Sequence, residues 1–167
     1  MSSTLYYINV TVHVLAAMLW LGGMLFIGLI GAPVLRALDP PALRQKLFHQ
    51  LGVRFRTAGW LTIAVLIATG VVNLYYKGWL RWDGVLGSPD FWRTSAGLTL
   101  GVKLGGVGAM LIVSVLHDFV LGPRAGRGRL DSSEAISWRR GAATLARLNA
   151  LFGVIVIAAA VRLVRGG

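Results

Sequence analysis

The chain contains no cysteine. This excludes disulfides, iron–sulfur clusters, covalently attached c-type haem and thiolate copper centres. Acidic residues are scarce too: six Asp and Glu stand against seventeen Lys and Arg, a formal net charge of +11. In a soluble protein that excess would suggest nucleic acid. Here the cations sit at the ends of apolar segments, where they set topology and meet anionic lipid, so nucleic acid is not an expected partner. The N-terminal stretch "MSSTLYYINVTVHVL" lacks the positive n-region of a signal peptide, and its apolar run outlasts a signal core. It reads as an uncleaved first membrane helix.

What the chain has in abundance is hydrocarbon. Apolar residues make up 56% of it, and the mean hydropathy is +0.69, too greasy for an ordinary soluble domain. A bilayer core of roughly 30 Å needs about 20 mostly apolar residues per helix, and four segments qualify, at roughly 5–31, 58–76, 95–118 and 142–164. The connections are short, so consecutive helices are expected to be antiparallel neighbours. The expected fold is all-α: one integral-membrane four-helix bundle over residues 1–167, with no separate soluble domain.

Charge outside the spans orients the bundle. The first connection holds Arg36, Arg44, Lys46, Arg54 and Arg56, and the third holds Arg124, Arg127, Arg129, Arg139 and Arg140. The second connection holds Lys77, Arg81 and Arg93, and the tail holds Arg162 and Arg165. Ten cations against five predict both termini outside and connections one and three in the cytoplasm, in a bacterial-type inner membrane.

The connections have characters of their own. "LDPPALRQKLFHQLGVRFRT" predicts a short amphipathic helix on the membrane surface, capped by Asp39, with Pro40 and Pro41 in its first turn. Leu43, Leu47, Phe48, Leu51 and Phe55 form its apolar face, with Lys46, His49 and Arg56 opposite. The second connection is crowded with Tyr75, Tyr76, Trp79, Trp82, Phe91 and Trp92, the aromatic belt expected where helices leave the membrane. The third, "GPRAGRGRLDSSEAISWRR", reads as a flexible Gly/Arg-rich loop and lacks the flanks of a phosphate-binding loop.

Inside the spans, polar residues fall in stripes at 100° per residue. The first helix carries Tyr6, Asn9, His13, Ala17, Trp20, Met24 and Gly31 on one line, and the second carries Thr62, Leu66, Thr69, Asn73 and Tyr76. The third carries Thr99, Lys103, Gly106, Met110, Ser114 and His117. A lipid-facing Lys or His is costly, so these lines are expected to face the bundle interior. Gly97, Gly101, Gly105 and Ala109 form a small-residue line roughly opposite, suited to another helix from a second copy or a further membrane subunit.

Depth separates two groups. His13, Lys103 and Asn73 share the outer half. His117 lies about 21 Å from Lys103, fourteen residues at about 1.5 Å each, and is expected near the cytoplasmic face with Asp118, His49 and Arg54. His13 and His117 therefore cannot be the two axial ligands of one haem. A b-type haem would need His, an apolar slot that Trp20 could wall, and basic groups for its propionates. Copper would prefer His and Met, which makes His13, Met24 and His117 candidate ligands. A proton or quinone path could follow the same stripe.

The segment "HVLAAMLWLGGMLFIGLIGAPVLR" resembles the first helix of CopD-type copper-resistance membrane proteins, with its His, Trp-x-Gly-Gly and Ala-Pro-x-x-x-Arg. "RFRTAGWLTIAVLIATGVVNL" is similar to their second helix, and "LTLGVKLGGVGAMLIVSVLHDF" to the Lys-Leu helix that follows. The His-then-Lys-then-His order also resembles HemJ-type protoporphyrinogen oxidases. The first resemblance implies copper uptake, with His13 as leading ligand and Met24 as helper. The second implies His13 as axial ligand of haem b and Lys103 as partner of a carboxylate. The leading expectation combines them: a CopD-like membrane protein holding a haem b or other redox centre through His13, with Lys103, Trp20, Asn73 and His117 around it, in electron transfer or oxidation. A copper permease component and a non-catalytic subunit of a respiratory complex are the alternatives.

Overall fold

In hydrocarbon a backbone must satisfy its own N–H and C=O groups, which leaves helices and closed barrels. The long apolar runs here take the first solution. A computed structural model describes residues 3–80, 84–127 and 133–166. Among them four helical spans are long and apolar enough to cross a membrane: Ser3–Arg36, Pro41–Tyr76, Ser95–Arg124 and Ile136–Val164. Leu19, Leu29, Leu61, Leu98 and Ile112 point outward, each more than half exposed. That is the surface a bilayer requires.

The first span is α1 (Ser3–Phe26), a π-helical segment Ile27–Gly31 and a short α2 (Ala32–Arg36). The second is one 36-residue helix, α3 (Pro41–Tyr76). The third is α4 (Ser95–Val115), a π-helical segment Leu116–Leu121 and α5 (Gly122–Arg127). The fourth belongs to α6 (Ser133–Val164). One end of the bundle carries both termini and the 77–94 connection, and will be called the terminal end. The other carries the 37–40 connection and will be called the loop end.

The amphipathic segment after Pro41 does form a helix, but as the beginning of α3 rather than as a separate surface element. Nothing between Ala42 and Tyr76 breaks a helix: there is no further proline, and isolated glycines are tolerated. Its apolar face meets the first span instead of lipid headgroups. The Phe55 ring lies against Gly23 and Leu51 against Gly31. Arg56, expected on the solvated side, turns inward for the same reason. The third connection is likewise more helical than its composition suggests, with helix at Gly122–Arg127 and again from Ser133. Its centre, with Arg129, lies outside the described residues, as do Arg81 and Trp82.

The closest packing is within two hairpins, α1 with α3 and α4 with α6. Among the described residues α3 and α4 are not a closely packed pair, although they follow one another in the chain. The hairpins meet mainly through α1 and α6, where a Cβ on Gly153 would press on Trp20 and Leu21. Within the second hairpin a Cβ on Gly106 would come 2.7 Å from Val156. The line Gly97, Gly101 and Gly105 is used differently from the expectation. Phe91 and Trp92, in a 3-10 turn (Phe91–Arg93), cover Gly97 and Gly101, and Gly105 faces open space.

The two hairpins share a device. Pro33 and Pro123 each stand two residues past the end of a π-helical segment. A proline inside a helix removes one backbone bond and crowds the carbonyl four residues earlier. A wider turn just before it relieves that crowding. Each odd-numbered span therefore carries a π-helical turn followed by a proline at the loop end of its hairpin.

A cleft between two hairpins

At the terminal end the stripes of α1 and α3 face each other. Asn9 Nδ2 donates to the Thr69 carbonyl at 3.0 Å and to Asn73 Oδ1 at 2.9 Å. His13 Nδ1 lies 2.7 Å from Thr69 Oγ1. The Thr69 hydroxyl already donates to the Val65 carbonyl at 2.6 Å, so its oxygen accepts and the His13 Nδ1–H donates. Lys103 is within electrostatic range of both His13 and Lys77. The expected company of His13, Asn73 and Lys103 is therefore present. Above it the aromatics form a cap: Tyr6 with Tyr76 at 5.2 Å, Trp79 with Phe91 at 5.3 Å, and the Lys77 ammonium 4.8 Å from the Trp79 ring.

At the loop end a carboxylate and a guanidinium accompany the second histidine. His117 Nδ1 lies 2.7 Å from Asp118 Oδ1, and Trp60 Nε1 donates to Asp118 Oδ2 at 2.9 Å. Arg56 reaches the Asp118 carbonyl at 3.5 Å. Both carboxylate oxygens are thus engaged, and the Asp118 side chain is only 18% exposed. A carboxylate on Nδ1 fixes the imidazole tautomer with Nε2 as the free donor atom, the arrangement that orients metal-ligating histidines. The residues reach these positions through the π-helical turn, which begins at Leu116. At about 1.5 Å per residue, His117 lies roughly 33 Å along the helix from Ser95, close to one bilayer-core thickness.

Beside His117 is a cavity of about 70 Å³. The first hairpin contributes Trp20, Met24, Arg56 and Trp60 to its wall. The second contributes Ser114, His117, Asp118 and Asn149. The cavity is therefore a space between hairpins, where α3 and α4 fail to close on each other. Its volume decides what it can take. Water occupies about 30 Å³ in the liquid, and pockets for drug-sized ligands run roughly 300–1,000 Å³. An ion with a water fits; a porphyrin does not, and no step through haem b follows from this site.

Two expectations change here. Trp20 and Met24 share a stripe with His13 but not its depth. They lie seven and eleven residues further on, about 10 and 16 Å along the axis, and join His117. His49 and Arg54 remain exposed on α3 and do not line the cavity. Among the described residues no three His, Asp or Glu side chains gather to hold a metal, so a metal here would need Met or amide donors. Asn149 was missed from the sequence. It is buried at 6% exposure, the lone amide in the apolar run of α6. Trp60 gave no signal, because its role exists only once Asp118 is opposite.

Comparison with known proteins gives two matches. The family model described as copper resistance protein D (CopD) matches residues 49–163, which hold most of the second span, all of the third and all but the last residue of the fourth. An uncharacterized protein from Aquifex aeolicus (strain VF5) is 31% identical over 153 residues, covering 90% of each chain. No solved structure matches.

Proposed function

The chain belongs to the copper resistance protein D family, and on that premise we propose that it carries copper across the membrane, taking the ion as substrate at the loop-end cleft. The observation that supports this most is that a thioether residue and an oriented imidazole line one cavity: Met24, and His117, whose Nδ1 is held by Asp118. Copper prefers thioether and imidazole donors over the oxygen sites that suit magnesium or calcium.

His13 plays a different part in this reading. A copper ion there would sit beside the Lys103 cation, with Lys77 close by. Like charges repel most where water is excluded, which disfavours a further cation at that end. The terminal-end group is a barrier and a structural clasp, and the ion rests at the other end. By the charge distribution, the loop end faces the cytoplasm of a bacterial-type inner membrane. The redox-centre and respiratory-subunit readings gain nothing from the cavity or from the family match.

The test is transport by the full chain in copper-free proteoliposomes. Wild-type protein should move copper inward or outward above the rate of empty vesicles, and His117→Ala should abolish it while His13→Ala leaves at least half. No copper movement by the wild type would remove the reading.

A further inference from the structure

The seam between α3 and the third span is fastened differently at its two ends. At the terminal end the chain itself ties α3 to α4 through the 77–94 connection, where the Trp79 ring stands 5.3 Å from Phe91. At the loop end the chain passes from α2 to α3 and from α5 to α6, within each hairpin and never between them. Side chains cross there instead. Trp60 Nε1 donates to Asp118 Oδ2 at 2.9 Å, Arg56 reaches the Asp118 carbonyl at 3.5 Å, and the Trp60 ring lies 5.8 Å from Phe119. Among the described residues α3 and α4 are not a closely packed pair, so these contacts stand where a helix interface would otherwise hold the seam.

We infer that Trp60 and Asp118 form the latch of a gate, which keeps the loop-end cavity shut and opens it to water when the two part. The inference goes beyond the copper reading and does not depend on what the cavity takes.

The latch can both hold and release. An indole N–H on a carboxylate is a charge-assisted bond, stronger than a neutral one. The Asp118 side chain is nevertheless 18% exposed, so water can take the place of the indole. A bond enclosed in hydrocarbon has no such substitute. His117 Nδ1 occupies the other carboxylate oxygen at 2.7 Å. It travels with Asp118, because both belong to the π-helical segment Leu116–Leu121. Opening therefore leaves the carboxylate one protein partner and gives it water for the other. Arg56, Gly59, Trp60 and Ile63 of α3 form one wall of the cavity, and Ser114 of α4 lies on another. Moving α3 away at the loop end uncovers Ser114, while the 77–94 connection keeps the far end of the seam together.

The absence of cysteine lets single introduced thiols report on each place. Ser114→Cys is nearly isosteric and sits at a position only 7% exposed, inside the cavity. Thr99→Cys, at a position 6% exposed near the tied end of the same helix, is the control. Gly59→Cys, where an added Cβ meets nothing within 4 Å, is a second reporter should Ser114→Cys fail to fold. The full chain in proteoliposomes is treated with a small charged methanethiosulfonate, and the rate of modification is read. With the latch intact the cavity thiol should react slowly. Trp60→Phe keeps a ring and removes the N–H, and should speed the cavity thiol about tenfold while leaving Thr99→Cys within about twofold. Asp118→Leu should speed it further, and Arg56→Gln least, since its bond is the longest. A cavity thiol that reacts fast with the latch intact, or no faster in Trp60→Phe and Asp118→Leu, overturns the inference. Equal acceleration of the cavity thiol and Thr99→Cys means general loosening and overturns it as well.

Discussion

Two histidines sit at opposite ends of this bundle, and both present the same tautomer for different reasons. His13 gives its Nδ1–H to a threonine oxygen whose own hydrogen is spent on the helix backbone. His117 gives its Nδ1–H to a carboxylate that a tryptophan N–H holds from the other side. The first has Lys103 and Lys77 within electrostatic range; the second shares a small cavity with Met24, Arg56 and Asn149 and is held by a carboxylate. Residue type alone makes them equivalent. The groups around each ring distinguish them, and it is on these that we propose one as a clasp and the other as a ligand.

The sharpest way to break this comparison is to exchange their fates. His117→Ala should lower copper affinity by more than a hundredfold in a competition titration, and His13→Ala by less than threefold. The reverse result would make the terminal end the metal site. The next effect in size concerns the support behind the ring. Asp118→Asn should cost roughly 10- to 100-fold in affinity, the usual toll of losing an outer-shell carboxylate. Trp60→Phe keeps the ring facing Phe119, 5.8 Å away, and loses only the N–H, so a three- to tenfold loss is expected. The smallest effect belongs to the clasp. Asn9→Ala or Asn73→Ala should lower stability by about 0.6–2 kcal/mol in a detergent unfolding titration while leaving metal affinity unchanged.

Much of the fold could be read from the chain because the bilayer simplifies the problem. A helix must be about 20 apolar residues long, and a polar side chain within it must find protein. Hence the four spans, the inward stripe of α1, and the shared depth of His13, Lys103 and Asn73 could be read from the chain. The errors came from depth and from partners. Met24 was grouped with His13 because both lie on one line, although a line along a helix says nothing about which end a residue occupies. The segment after Pro41 was set apart because it is basic, yet no residue in it interrupts the helix. Asn149 could have been noticed as a single amide inside an apolar run. Trp60 could not, since its value comes from a carboxylate 58 positions away in the chain.

The matched π-helical turns before Pro33 and Pro123 have one more consequence. Each half of the molecule makes its own turn, closes its own backbone bonds and packs its own pair of long helices. The protein is therefore severable. Cut just before Val85 and expressed as two polypeptides, it should reassemble within the bilayer as a two-chain complex recoverable by affinity tag on either piece. Neither piece alone should bind copper, because the cleft takes its walls from both.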